Sequence, residues 1–232
     1  MAGDPGCPPV AGVSPRSDEA ALLDGLFPPF VRGVVARVTD DCASPFAEER
    51  DLVAAAAPSR RRDFLCGRAC AHAALRALGR DGGPIAVGDR REPSWPAGVV
   101  GSISHAGSLA GAVVARAVDA SGLGLDIELL EPPLDRNLRP LLLTPGELSH
   151  VQVLEATEPS AAKILFSAKE SVYKCLFPRT GWRLDPRDVD VALDVGRRRY
   201  SAAIAERSQT AQLRLEGTFR MVEGYVLTGL HM

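Results

Sequence analysis

Gly122-Leu123-Gly124-Leu125-Asp126-Ile127-Glu128 is the stretch on which the reading of this chain turns. Its apolar and β-branched residues predict a strand, and strand residues i and i+2 point to one face, so Asp126 and Glu128 project together. A lone D-x-E pair also occurs as two exposed acids on a solvated edge, but Asp126 sits between Leu125 and Ile127 in a segment of buried character. Further along, Phe166-Ser167-Ala168-Lys169-Glu170-Ser171-Val172-Tyr173-Lys174 predicts a helix. It sets Glu170 four residues before Lys174, about 5–6 Å apart at Cβ. Taken alone, that is an ordinary stabilising helix pair. Here Phe166, Val172, Tyr173, Leu176 and Phe177 make the helix largely apolar, which leaves a narrow charged face for Lys163, Lys169, Glu170 and Lys174. Three carboxylates and a lysine on one cleft suit a hard divalent cation holding a phosphate ester.

Outward from these stretches the pattern is α+β. A helix is predicted over 58–78, with Phe64, Leu65, Ala69, Ala73, Leu75 and Leu78 on its apolar side and Gly79 at its end. Strands are predicted over 30–38, 99–104 and 109–117, the last two joined by the Ala106-Gly107-Ser108 turn. Pro132-Pro133 stops the strand that carries Asp126, and Thr144-Pro145-Gly146-Glu147 is a capping-box start for a helix to about 156. A second helix follows over 160–177 with Pro178 beyond its end, then short strands over 189–193, 199–205, 211–218 and 224–230. Each half thus offers one long helix and several antiparallel strands, with a changeover near 118–122. The expected units are a flexible arm over 1–17, an N-terminal subdomain over 18–120 and a C-terminal subdomain over 121–232.

Of 232 residues, 46% are hydrophobic and 24% charged, ordinary for a soluble globular chain. The net charge of −2 argues against a general nucleic-acid binder. Yet Arg60, Arg61, Arg62, Arg68, Arg76 and Arg80 fall close together, which makes a local anion site available. The five cysteines form no C-x-x-C pair, and no secretory leader or membrane-length apolar run is visible, so free thiols and a cytoplasmic location are expected. Gly101-Ser102-Ile103-Ser104-His105 holds a serine next to a histidine. Neighbouring strand residues point to opposite faces, so Ser104 and His105 make a poor nucleophile–base pair, and His105 reads as a phosphate contact. His72, His150 and His231 lack partners at metal-ligand spacing and read as structural or surface residues.

G-S-I-S-H (101–105), G-L-D-I-E (124–128) and F-S-A-K-E-S-x-Y-K (166–174), in that order, resemble the Sfp/EntD-type 4′-phosphopantetheinyl transferases. R-R-R-D-F-x-x-G-R-x-C-A (60–71) and G-D-R-R-E-P-x-W-P (88–96) are similar to the actinobacterial and enterobactin-type branch of that family. The resemblance implies a pseudo-twofold monomer of two similar α/β subdomains, each a long helix packed on an antiparallel sheet. Coenzyme A and Mg²⁺, or Mn²⁺ in its place, would bind in the cleft between them. By the same resemblance Asp126, Glu128 and Glu170 would hold the metal, Glu170 would act as base and Lys174 would serve the departing 3′,5′-ADP. Arg60, Arg68, Arg90, Ser104 and His105 would contact coenzyme A, with Lys169 a weaker phosphate contact. The implied partners are acyl or peptidyl carrier proteins of polyketide, fatty-acid or nonribosomal-peptide synthases, with no nucleic acid or membrane. Acidic carriers imply an apolar or basic docking surface, sought over 134–160 around Leu141, Leu142, Leu143 and Val151. A metal-dependent phosphohydrolase shares the carboxylates without needing the arginines, and a non-catalytic binder would lack Asp126, Glu128, Glu170 or Lys174.

Overall fold

The alternation of Gly122, Gly124, Asp126 and Glu128 with Leu123, Leu125 and Ile127 gives strand β6 (Leu123–Leu129) two unlike faces in the computed structural model, which describes residues 21–80, 83–205 and 212–232. Leu123, Leu125 and Ile127 are fully buried against the N-terminal half. The other face lies under the long helix α5 (Ala161–Thr180). Only residues without a side chain admit this approach: a Cβ at Gly124 would stand 1.9 Å from the Ser171 carbonyl oxygen, and one at Gly122 2.7 Å from that of Cys175. Asp126 and Glu128 continue that face, so the glycines seat the helix and the acids follow where it can reach them.

In chain order the remaining elements are β1 (Arg32–Arg37), α1 (Ala47–Asp51), α2 (Pro58–Ala77), β2 (Ala86–Val87), β3 (Pro93–Ser94), β4 (Val99–Ala106) and β5 (Leu109–Arg116) before β6. After β6 come α3 (Arg139–Leu142), α4 (Pro145–Leu154), α5, β7 (Val189–Asp194), β8 (Arg199–Ala205), β9 (Gln212–Val222) and β10 (Tyr225–His231). All paired strands are antiparallel: β1-β5-β4 form one sheet, β6-β10-β9-β8-β7 a second, and β2-β3 a short hairpin. Helix α2 covers one face of the three-stranded sheet and α5 covers one face of the larger sheet. A third apolar cluster lies between the two sheets. Alternation along β5 serves both sides, Ala110, Ala112 and Val114 toward α2, Leu109, Val113 and Ala115 toward the middle. This is an α+β architecture.

The sheets meet through serine side chains. Ser102 Oγ on β4 accepts from the Leu125 N–H at 3.0 Å, and Ser104 Oγ accepts from the Ile127 N–H at 3.1 Å. Two hydroxyls thereby take the place of a backbone ladder along β6. Tyr225 Oη accepts from the Ser108 N–H at 3.0 Å, and Arg37 pairs with Glu223, fastening the hairpin turns of the two halves to each other.

Several sequence expectations need adjustment. Helix α5 runs through Pro178 to Thr180. A proline in the last turn forfeits a single ladder bond, and the stop comes from Gly181, whose left-handed φ of 65° lets its N–H reach the Phe177 carbonyl at 2.9 Å. On α2 the buried side comprises Cys66, Ala69, Cys70, Ala71, Ala74 and Leu75, whereas Phe64 faces a cleft. Cys42 and Cys66 form a disulfide with Cα atoms 4.8 Å apart, so the expectation of thiols throughout fails there; Cys70 and Cys175 are buried and outside any disulfide. Leu143 and Val151 belong to the core, while Leu141 is exposed. The arm over 1–17 and the first residue of the strand expected at 211 lie outside the described residues. No helix among the described residues is long and apolar enough to cross a membrane.

Under α2, the carboxylate of Glu49 is fully buried. Burial pushes its pKa up, but hydrogen bonds from His72, Ser44 and the Ile85 N–H outweigh that and hold it below the usual carboxylate value. A depressed folded-state pKa stabilises the fold above the unfolded-state value, and the gain is lost as the pH falls through the folded-state value. Stability should therefore decline as the pH drops below 4.5. Glu49→Gln should flatten that decline, as read from urea midpoints across the acid range. A variant with an unchanged acid slope would remove Glu49 from the account.

Candidate active site

Asp126 is the hub of the site. It is 3% exposed, and its Oδ1 accepts from Lys174 Nζ at 2.7 Å and from Ser104 Oγ at 3.1 Å. Its Oδ2 accepts from Ser167 Oγ at 2.8 Å. Three elements thus converge on one carboxylate: β6 carries it, β4 brings Ser104, and α5 brings both Ser167 and Lys174. Lys174 also donates to Ser104 Oγ at 2.9 Å, and its side chain is 26% exposed, so the ammonium stands at the rim.

Glu128 and Glu170 share the field of Asp126. Burial, first, and then the Asp126 charge push Glu128 up to about 7, with Lys163 and Lys174 opposing and Glu170 adding to the rise. Glu170 is likewise raised by burial and by Asp126, against the pull of Lys174. Among the described residues no three His, Cys, Asp or Glu side chains are gathered in a metal-binding group. The donor set is nevertheless all-oxygen and crowded with negative charge, which suits a hard dication better than it suits three free carboxylates.

Beside this cluster runs an arginine-lined cleft of ≈ 340 Å³. Arg60, Asp63, Phe64 and Arg68 of α2 form one wall, with Arg91, Ile103 and His105 across from them. Arg68 is only 3% exposed, its guanidinium lies 4.9 Å from the Phe64 ring centre, and among the described residues its Nε and Nη1 have no hydrogen-bond partner. Burial lowers its pKa and the Glu49 charge raises it again. Burial also lowers the His105 pKa, against Asp63, whose carboxylate lies 3.9 Å from Nδ1. An adjoining hollow of ≈ 210 Å³ is lined by Arg90, Arg91, Ser102, Glu170, Tyr173 and Lys174, among others. Both hollows touch Arg91, Pro93 and Ile103, so one trough links the arginines to the carboxylates.

The structure therefore gathers Arg60, Arg68 and His105 in one place, and Asp126, Glu128, Glu170 and Lys174 in another beside it. Arg90 stands by Glu170 and Tyr173 rather than with Arg60. Arg91, which the sequence reading passed over, enters the arginine cleft; its backbone φ of 70° turns the chain there. Two residues are engaged by the protein itself. Lys169 is buried, and its ammonium donates to Glu147 at 2.6 Å and to the Pro186 and Val189 carbonyls at 2.8 Å each. An ammonium has three donors, and these contacts occupy all of them, so Lys169 is removed from the phosphate contacts. Ser104 is 4% exposed and engaged by Asp126, Lys174 and Ile127, so it braces the cluster instead of contacting a ligand.

A buried arginine beside a carboxylate–lysine cluster has the chemistry that suits phosphate groups. The family model described as the 4′-phosphopantetheinyl transferase N-terminal domain matches residues 48–115, and that of the 4′-phosphopantetheinyl transferase superfamily matches 122–228. The first match ends within β5 and the second begins just before β6. 4′-Phosphopantetheinyl transferase Svp of Streptomyces mobaraensis is 39% identical over 80% of this chain and 77% of that protein. 4′-Phosphopantetheinyl transferase PptT of Mycobacterium tuberculosis is 32% identical over 81% and 86%. Enterobactin synthase component D of Salmonella typhi is 35% identical over 68% and 69%. The chain belongs to the 4′-phosphopantetheinyl transferase superfamily, of the Sfp/EntD type, and is an enzyme of that class.

Proposed function

We propose that this enzyme moves the 4′-phosphopantetheine group of coenzyme A onto a serine of an apo acyl or peptidyl carrier protein and releases 3′,5′-ADP. The observation that carries the reading is Arg68, buried with two donors that have no partner among the described residues, in a trough that runs to Glu170 and Lys174. With Arg60, Arg91 and His105 it offers the N–H groups that the phosphates of coenzyme A need. In the reaction the carrier serine oxygen bonds to the β-phosphorus, the bond to the bridging oxygen breaks, and 3′,5′-ADP departs. Glu170 takes the hydroxyl proton. Lys174, held at the rim by Asp126 and Ser104, offsets charge on the departing phosphate or returns a proton to it.

Asp126, Glu128 and Glu170 would hold Mg²⁺, or Mn²⁺, which when bound neutralises charge at the pyrophosphate. In this reading residues 18–120 supply the coenzyme A contacts and 121–232 the metal and catalytic groups, as two pseudo-twofold-related subdomains of a cytoplasmic monomer. Carrier docking falls on the exposed Leu138, Leu141 and Val153 of the α3–α4 region.

Intact-mass spectrometry of an apo-carrier protein incubated with the enzyme, coenzyme A and Mg²⁺ tests this directly. The expected result is a gain of one phosphopantetheine per carrier, abolished by chelator. Consumption of coenzyme A with no gain on several carriers would replace the transfer reading with a phosphohydrolase.

A further inference from the structure

We propose that Ser167, backed by Thr228, is a positioning residue that fixes the Asp126 carboxylate for cation binding. The inference rests on the cation site proposed above and concerns two hydroxyls to which that reading gives no role.

Lone-pair counting carries the argument. An ionised carboxylate has about four acceptor positions, two on each oxygen. On Asp126, Oδ1 already accepts from both Ser104 and Lys174, whereas among the described residues Oδ2 accepts from Ser167 alone. The remaining acceptor position is thus on Oδ2, and the Ser167 bond sets the direction in which it points. Ser167 has one proton, which the Asp126 carboxylate requires. Its Oγ lies 3.0 Å from Thr228 Oγ1, and Thr228 Oγ1 also reaches the Ser167 carbonyl at 2.9 Å. Thr228 also has one proton, shared between the Ser167 carbonyl and Oγ, and the charged Asp126 carboxylate outcompetes the neutral Thr228 hydroxyl as acceptor of the Ser167 proton.

The placement is built into the sheet. Thr228 stands directly opposite Asp126 in the β6–β10 ladder, and Ser167 descends onto the pair from α5. Both hydroxyl residues are 0% exposed, so no bulk water substitutes for either. A hydrogen-bond chain shielded this way gains in rigidity what it loses in adaptability. Without the Ser167 hydroxyl, Oδ2 would lose its one partner and the carboxylate would be fixed from the Lys174 side only.

Partners that orient a metal-ligating group affect affinity by about 10–100-fold when removed. Ser167→Ala is therefore expected to raise the Mn²⁺ dissociation constant by about that factor, measured by electron paramagnetic resonance of free Mn²⁺ against the purified enzyme. Thr228→Val, which preserves shape and removes the hydroxyl, should shift it in the same direction, and Thr228→Ser should restore it. Half-saturation of transfer by metal should move with the dissociation constant, while KM for coenzyme A, set by the arginine cleft, stays put. A purely structural role would instead lower the melting temperature in chelator and leave Mn²⁺ affinity alone. Wild-type affinity in folded Ser167→Ala and Thr228→Val enzymes would overturn the positioning role and leave the cation site standing. A wild-type enzyme that binds no Mn²⁺ would overturn both.

Discussion

Replacing Glu170 by Gln is expected to slow transfer by about 10²–10⁴-fold, the range that general-base catalysis ordinarily contributes. The substitution keeps the shape of the side chain and its capacity to accept a hydrogen bond, but an amide cannot take the serine proton. Glu170 lines the trough with Arg90, Tyr173 and Lys174, on the helix face that also brings Lys174 to Asp126. Coenzyme A affinity should change little, because Arg60, Arg68 and His105 line a separate part of the trough. Single-turnover rates at saturating Mg²⁺, paired with calorimetric binding of coenzyme A, separate the two effects. A rate within about threefold of wild type at saturating metal would show that another group takes the proton. Loss of coenzyme A binding together with turnover would show that the two parts of the trough are not independent.

Much of this site was legible because it rides on simple periodicities. Period two along β6 puts Asp126 and Glu128 on one face, and a four-residue step along α5 puts Glu170 beside Lys174. The same helical arithmetic, applied more strictly, excludes Lys169. At roughly 100° per residue, Lys163, Glu170 and Lys174 fall within about 40° of one another, whereas Lys169 points about 100° away from Glu170. That direction leads to Glu147, the capping-box acid of α4, which also accepts from the Val191 N–H at 2.7 Å. Burial pushes Glu147 up and Lys169 down, and their ion pair opposes both shifts. A lysine inside a charged helical motif was thus a strut between α4, α5 and β7.

Other features had no one-dimensional signal. Arg90 and Arg91 are adjacent and chemically identical, and it is Arg91, where the backbone takes a left-handed φ, that enters the arginine cleft. Ser102 and Ser104 alternate as strand residues should, yet nothing in the pattern says that their hydroxyls meet the edge of a second sheet. The disulfide joins cysteines separated by 24 residues, a pairing that depends on where the loop after β1 lands on α2. Cys66 and Cys70, by contrast, are buried among the alanines of α2, which the sequence displays. Local chemistry was readable from sequence, whereas choices between neighbours and contacts between halves required the fold.

Gly124→Ala should be the most destabilising single substitution considered for this chain, costing about 3 kcal/mol or more. The added Cβ would meet the Ser171 carbonyl oxygen at 1.9 Å and its carbon at 2.8 Å. These are backbone atoms in the middle of a 20-residue helix, so no rotamer change relieves the clash, and either α5 or β6 must shift as a body. The two elements are also the ones that bring Ser167 and Lys174 to Asp126, so a shift large enough to admit a methyl group would break bonds of 2.7 and 2.8 Å at the centre of the site. Activity should therefore fall further than stability alone predicts, even under conditions where the variant remains folded. Gly83→Ala, where an added Cβ meets nothing within 4 Å, is the matched control and should leave both properties near wild type. Urea unfolding midpoints and single-turnover rates for the two variants decide the matter. If Gly124→Ala stayed within about 1 kcal/mol of wild type, the close seating of α5 on β6 would not be what holds the Asp126 carboxylate in place.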